Sequence, residues 1–448
     1  MNGSIPIITY LFHKMRSVLY DKILFIIVLG NVLMADGFAS ENDTLIFTNH
    51  IFSDKIKTVL INKEGWNLSY PVMKLGTNDK LILQFDLLSK SPENYYYTFI
   101  HCDRNWKQSD IFTNDYLDGI PENQIENYKS SFNTTVPYYH YKLTFPNERI
   151  NIKYSGNYII EVYAAGEPEK PVLTRRFMVT EDAVRITATL QRPQMALSYN
   201  TGQQIDFTVN YTGLNVTDPH RDISSSVLKN GQWSTAKRNI QPDIISYNEL
   251  KYNSLSENNV FPGGNEYRYF DIRSIRLLTE YVRKIDFNNN YYHVFLSPSE
   301  NREFKPYFYW QDFNGKYYIA VQEGRDMDLE ADYVWVYFTM PATYKVTGGN
   351  VYVSGALSDW GFGNGNIMSY DPEKAEYQCS MLLKQGWYNF EYIILKNGDK
   401  TAWPSLFEGN HYETENDYLI LVYFRNQRER YDKLAGSLIL NTTKKIQN

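Results

Sequence analysis

Residues 95–102 read YYYTFIHC. Successive side chains of an extended strand point to opposite faces. Tyr95, Tyr97, Phe99 and His101 therefore share one face, and Tyr96, Thr98, Ile100 and Cys102 the other. Aromatic and β-branched residues fit such a pleated surface. The run passes into a polar, Asp- and Asn-rich stretch that carries Trp106 and Tyr116 and ends at Asp118-Gly119, a turn signal. Residues 103–119 are too irregular for helix or strand. They are expected to form a long loop that closes the first domain and is tied down by its aromatics.

The same pattern recurs along the chain. Leu81 to Leu87 (LILQFDL) reads as a strand, and Ile205, Phe207, Val209 and Tyr211 alternate with polar neighbours. Asn230-Gly231, Asn314-Gly315 and Asn397-Gly398 are hairpin signals, because Asn-Gly readily takes the positive φ angles of a tight turn. With 39 Tyr and 24 Phe, the composition also tilts toward all-β. Short strands at turn-punctuated spacing predict an all-β chain of three consecutive immunoglobulin-like or early-set β-sandwich domains. Their expected spans are 45–180, 184–324 and 329–443, after a signal region at 1–39. One helical turn is expected at 121–128, with Pro121 at its first position. The arms of the second hairpin are expected at 307–310 and 316–320. The strand from Trp387 to Leu395 is expected to turn at Asn397-Gly398 and pair with the strand after it.

The signal region rests on an apolar run at 23–34 (ILFIIVLGNVLM), preceded by Arg16 and Lys22 and followed by Ala35 and Ala39. A positive flank, a short apolar core and small residues form the pattern of a secretory signal. A membrane-spanning helix would need about 20 apolar residues. Translation could start at Met1 or Met15. No Cys follows the apolar run, so a lipid anchor is not supported. The net charge of -6 argues against a nucleic-acid binder.

Little in the chain points to chemistry. Cys102 and Cys379 fall in different expected domains and should stay separate, buried thiols. His101 and Cys102 are adjacent on a strand and point to opposite faces, so they cannot act as a base and nucleophile pair. Asp103, Asp110, Asp115 and Asp118 lack the spacing of a calcium loop and are read as capping and solvation. Residues 361–365 (GFGNG) open no helix that could bind a phosphate. No catalytic, metal or cofactor residue is assigned, and the chain is expected to be non-enzymatic and monomeric.

An ordered series of motifs carries a resemblance. It comprises His101, Cys102 and Asp103, then Trp106, Ser109 and Tyr116 to Gly119, then 130–134, 138–146, 155–158 and Arg175 to Phe177. It returns at Gly264 to Arg268, Phe270-Asp271, Glu408 to Asn410 and 413–423. In this series the chain resembles the plug proteins of type IX secretion. The resemblance implies a periplasmic protein, associated with the outer membrane, that occludes the pore of the translocon barrel. The irregular segments 95–119 and 258–264 are then expected at the contact, with Trp106, Tyr116 and Phe261 as anchors. Residues 351–360 (VYVSGALSDW) and 383–398 resemble early-set sandwiches that include glycogen-binding modules. That second resemblance implies the alternative, an exported carbohydrate-binding protein that stacks sugar on Trp360 and Trp403. If the signal reading holds, N-terminal sequencing of the exported protein finds a chain beginning near Ser40 or Glu41, and retention of residues 23–34 rejects it.

Overall fold

The computed structural model describes residues 47–253, 257–400, 402 and 405–443. The expected signal region and Trp403 lie outside the described residues. The chain is mostly β-strand, arranged in several discrete sheets.

The first unit is built where the alternation is strongest. Tyr95–Cys102, Gly156–Ala164 and Pro171–Thr180 form one antiparallel sheet. Ile56–Lys63, Leu81–Leu87, Tyr139–Phe145 and Tyr128–Ser130 form the other. Tyr95, Tyr97 and Phe99 enter a shared core with Leu83, Phe85, Tyr141 and Phe145. Phe85 stacks on Tyr141 with centroids 4.9 Å apart. The helical turn expected at 121–128 is absent. Asn123–Gln124 instead pairs with Tyr96 and Tyr97, and Ile125 N–H donates to Tyr95 O at 2.8 Å, because the open edge of the long strand offers carbonyls that a lone turn cannot match.

The expected boundaries of the second and third domains need correction. Asp417–Phe424 pairs antiparallel with Ile223–Lys229 and with Lys433–Asn441. Lys433–Asn441 in turn meets Pro171–Thr180 in parallel at Thr180 and Leu434. One ten-stranded sheet therefore runs from the first unit into the second. A five-stranded sheet packs on this extension, with Arg185–Gln191, Gly202–Asn210 and Glu249–Tyr252 among its strands. The shared core holds Ile205, Phe207 and Val209 from one sheet and Tyr418, Ile420 and Val422 from the other.

The third unit is inserted between these two parts of the second. Arg268–Asp271 and Tyr317–Ile319 both pair with Gly386–Lys396. Val282–Asn288 and Tyr291–Leu296 join Tyr333–Pro341. Strands assigned to the 184–324 span thus belong with those of the 329–443 span, while the last two strands return to the second unit. Alternation shows which face of a strand is buried but not which strand lies beside it. Asn230-Gly231 does lie between the antiparallel strands Ile223–Lys229 and Lys237–Ile240, but the second and third hairpins fail for the same reason. Asn314 and Gly315 do take φ of 53° and 79°, but 307–310 forms no strand, and Trp310 Nε1 instead donates to Tyr267 O at 2.8 Å. Gly386–Lys396 pairs with Gly349–Ser354 before it and not with the strand after it, which leaves for the second unit.

A buried ionic cluster ties the first unit to the third. One oxygen of Asp86 accepts from His140 Nδ1 at 2.7 Å. The other accepts from Tyr333 Oη and Lys384 Nζ, each at 2.7 Å. Nearby, Asp332 accepts from Thr135 N–H at 2.7 Å and from Val136 N–H at 3.1 Å. Burial alone would raise the Asp86 pKa, but the Lys384 ammonium and the His140 hydrogen bond outweigh it and hold the carboxyl below its ordinary value. Lys384→Met should cost about 3–5 kcal/mol in urea unfolding, because it leaves a buried carboxylate without its cation. Since the folded pKa is the lower one, this contribution is present above the unfolded value of about 3.9 and is lost as pH falls through the folded value. Acid titration of the wild type should show that loss, and Asp86→Asn should flatten it.

Candidate interaction site

The stretch 103–119 is not irregular throughout: Thr113–Tyr116 forms one helical turn and Leu117–Gly119 pairs with Ile150–Ile152, while the turn before them is held by its own polar groups. The Asp103 carboxylate accepts from the N–H groups of Asn105 and Lys107 at 2.8 and 2.9 Å. This lets Trp106 take φ of 66° and turn inward. Trp106 is 0% exposed, edge-on to Trp233 at 4.9 Å, with the Arg176 guanidinium 4.3 Å from its ring centroid. Tyr116 is 4% exposed and donates to Phe99 O at 3.1 Å. Trp106 and Tyr116 tie the loop down and are therefore withdrawn from any partner, whereas Phe112 in the same stretch is 73% exposed.

His101 is a structural residue. Its Nε2–H donates to Ser155 O at 3.1 Å, which leaves Nδ1 to accept from Ser109 Oγ at 2.8 Å. Burial pushes its pKa down to about 4, so the ring is neutral. A side chain at residue 156 would put Cβ 2.5 Å from His101 Nε2, and φ there is +139°, so glycine is required. Cys102 lies on the opposite face among Trp106, Ile159 and Leu421. Both cysteines are free. Cys102 is buried and Cys379 half-buried.

The remaining expected contact residues are also engaged. Phe261 is 2% exposed and packs against Tyr418 at 5.2 Å. Trp360 is half-buried, edge-on to Tyr267 at 5.9 Å. A Cβ added to Gly315 would lie 2.2 Å from the Trp360 ring, so the indole is a wedge against the 312–315 turn and not an open platform. Its partner in the sugar reading, Trp403, is outside the described residues. The four described contact residues were judged by residue type and irregular sequence, and both features also mark a loop anchored by buried aromatics.

The exposed aromatics lie elsewhere. Phe304 and Phe308 are 91% and 72% exposed on the strandless stretch 300–312 (ENREFKPYFYWQD). Phe112, Tyr247 and Tyr344 are also largely exposed. An aromatic-rich run that holds a proline and lacks alternation was the signal for 300–312. Among the described residues, no group of three or more His, Cys, Asp or Glu could hold a metal ion, and no helix is long and apolar enough to cross a membrane.

Residues 56–181 match the family described as "Type 9 secretion system plug protein 1st domain". These limits coincide with the first unit, from Ile56–Lys63 to Pro171–Thr180. The family is non-catalytic, in keeping with a non-enzymatic protein. A hypothetical protein of solved structure from Parabacteroides merdae ATCC 43184 is 33% identical, with a TM-score of 0.85, over 89% of this chain and 100% of that one. An alkylpurine DNA glycosylase from Pseudomonas fluorescens, 12% identical over 28% of this chain and 30% of that one, has a TM-score of 0.15 and carries no argument. No curated protein matches the chain at a significant level.

Burial pushes both thiols up to about 12, with Asp103 adding to the effect at Cys102. At neutral pH they should react slowly with an aromatic disulfide reagent in the native protein, and two thiols should titrate at once in denaturant. Cys379 is less buried than the sequence reading expects, and fast reaction at Cys102 in the native protein contradicts its burial.

Proposed function

The chain belongs to one family with the Parabacteroides merdae protein, and from the plug-domain match over 56–181 we infer that it works by obstruction. In this reading it is a periplasmic protein that binds the translocon barrel of the type IX secretion system at the outer membrane and closes its pore. The match over 56–181 is the observation that carries the reading.

The architecture suits the task. An obstruction must not deform under the traffic it blocks. The first and second units share one sheet, so relative motion there would break backbone hydrogen bonds. The first and third are joined through Asp86, Tyr333 and Lys384, where parting would strand buried charge. Exposed aromatics such as Phe304 and Phe308 offer the anchors in which interface energy concentrates.

Deleting the gene should leave the envelope leaky to a large hydrophilic antibiotic while barrel levels stay normal, and the tagged protein should co-purify with a very large barrel. Unchanged permeability with normal barrel levels rejects the plug reading.

A further inference from the structure

A pocket of about 410 Å³ lies between the second unit and the third. The third unit supplies one wall. Glu391 lies directly opposite Ser354 where Gly386–Lys396 pairs with Gly349–Ser354, so both side chains leave the sheet on one face, with Ile393 two residues further on. Phe362, edge-on to Tyr352 at 5.3 Å, extends this wall. The second unit supplies the other, with Lys229 at the end of Ile223–Lys229 and Phe261 in Val260–Pro262.

Glu391 is the group left over. It is 9% exposed, yet among the described residues nothing donates a hydrogen bond to its carboxyl oxygens. Other buried acceptors without a partner, such as Glu266 Oε2, are sealed off, but the oxygens of Glu391 are not, and a molecule in the pocket reaches them. An acceptor taken out of water and given no donor is costly. Lys229 lines the same pocket and acts on Glu391 through its charge without touching it. Its ammonium donates to Pro262 O at 2.8 Å and to Gly263 O at 2.7 Å, which uses two of the three donors of an ammonium. The lysine and the carboxyl balance each other in charge, so the pair asks for no counter-ion. Lys237, whose ammonium donates to Glu257 O at 2.9 Å, also lines the pocket. A ligand ammonium would therefore meet two cations, and a ligand carboxylate would meet Glu391. A neutral hydroxyl suits both groups, because it accepts from an N–H and donates to a carboxyl oxygen. Phe261, Phe362 and Ile393 require that its carrier present an apolar face.

We propose that this pocket binds a neutral ring carrying hydroxyls, which donate to Glu391 and accept from Lys229 while the apolar face of the ring packs on Phe362 and Ile393. Such a ring occurs in a pyranose sugar and in a phenol such as a tyrosine side chain. Ser234, Thr235 and Ser354 offer further hydroxyls around it, which favours the sugar, since a phenol has one hydroxyl to place. The site is not a stacking platform of Trp360 and Trp403, because its polar centre is a buried carboxyl between two units.

Ligand-observed NMR on the full chain tests this with the methyl glycosides of glucose, galactose, mannose and N-acetylglucosamine, with p-cresol, and with tetrahydropyran as a ring without hydroxyls. At least one hydroxylated ring should bind, with a Kd of about 1 mM, and tetrahydropyran should bind about tenfold or more weakly. Binding of a glycoside identifies a sugar as the source, and binding of p-cresol alone identifies a phenol. Glu391→Met keeps the bulk of the side chain without a comparable acceptor, and should weaken the bound ring about tenfold. Phe362→Ala changes a half-buried side chain and should weaken it several-fold, and circular dichroism shows that each variant is folded. Tetrahydropyran binding as tightly as the hydroxylated rings, no binding by any of them, or a folded variant of either kind that binds as the wild type does, overturns the proposal. The outcome is independent of the permeability experiment, because it is read on the isolated protein.

Discussion

The strand Asp417–Phe424 is the constraint on which the rest depends. Its sequence, DYLILVYF, is nearly all apolar, and it is buried on both faces. Tyr418, Ile420, Val422 and Phe424 point into the core of the second unit. Leu419, Leu421 and Tyr423 point into a separate core with Trp106, Ile159 and Met178 from the first. A strand that must satisfy two cores needs backbone partners on both edges, and it has them in Ile223–Lys229 and Lys433–Asn441. Two domains are thereby fused through hydrogen bonds and packing, and the third unit can only be a loop-out of the second.

This arrangement explains why Trp106 is where it is. The joint between the units leaves a space beside Arg176 and Trp233 that a large ring must fill. The Asp103 turn supplies one, at the cost of a left-handed backbone at a bulky residue. Such a conformation persists only where the surroundings over-determine it. Here the ring is enclosed, and its peptide is fixed by Phe47 N–H on Trp106 O at 3.0 Å. The motif belongs to the joint between units and not to the surface.

How much of this was legible follows from what each signal encodes. Period-two alternation encodes burial of a face, so Leu81–Leu87, Tyr95–Cys102 and the inward set of Ile205, Phe207 and Val209 were readable. The structural assignment of His101 was readable too, because strand geometry is local. Pairing is not local. Nothing in residues 417–441 says that they lie beside residue 223 or 180, so the second and third units were divided at the wrong places. Asn-Gly encodes a backbone conformation, and Asn314-Gly315 adopts it without making a hairpin. Aromatic residues in irregular segments encode large contact area without saying whether the contact is internal. Trp106, Tyr116 and Phe261 are internal, whereas Phe304 and Phe308 are not.

The two buried ionic clusters show how similar chemistry can serve different ends. At Asp86 one carboxylate faces Lys384, His140 and Tyr333, and both of its oxygens are occupied. The charges there sit across two units, so the cluster resists separation more than it adds net stability, since a buried pair does little better than apolar packing but is costly to break. At Glu408 the proportions reverse, with two guanidinium groups to one carboxylate, all within the third unit.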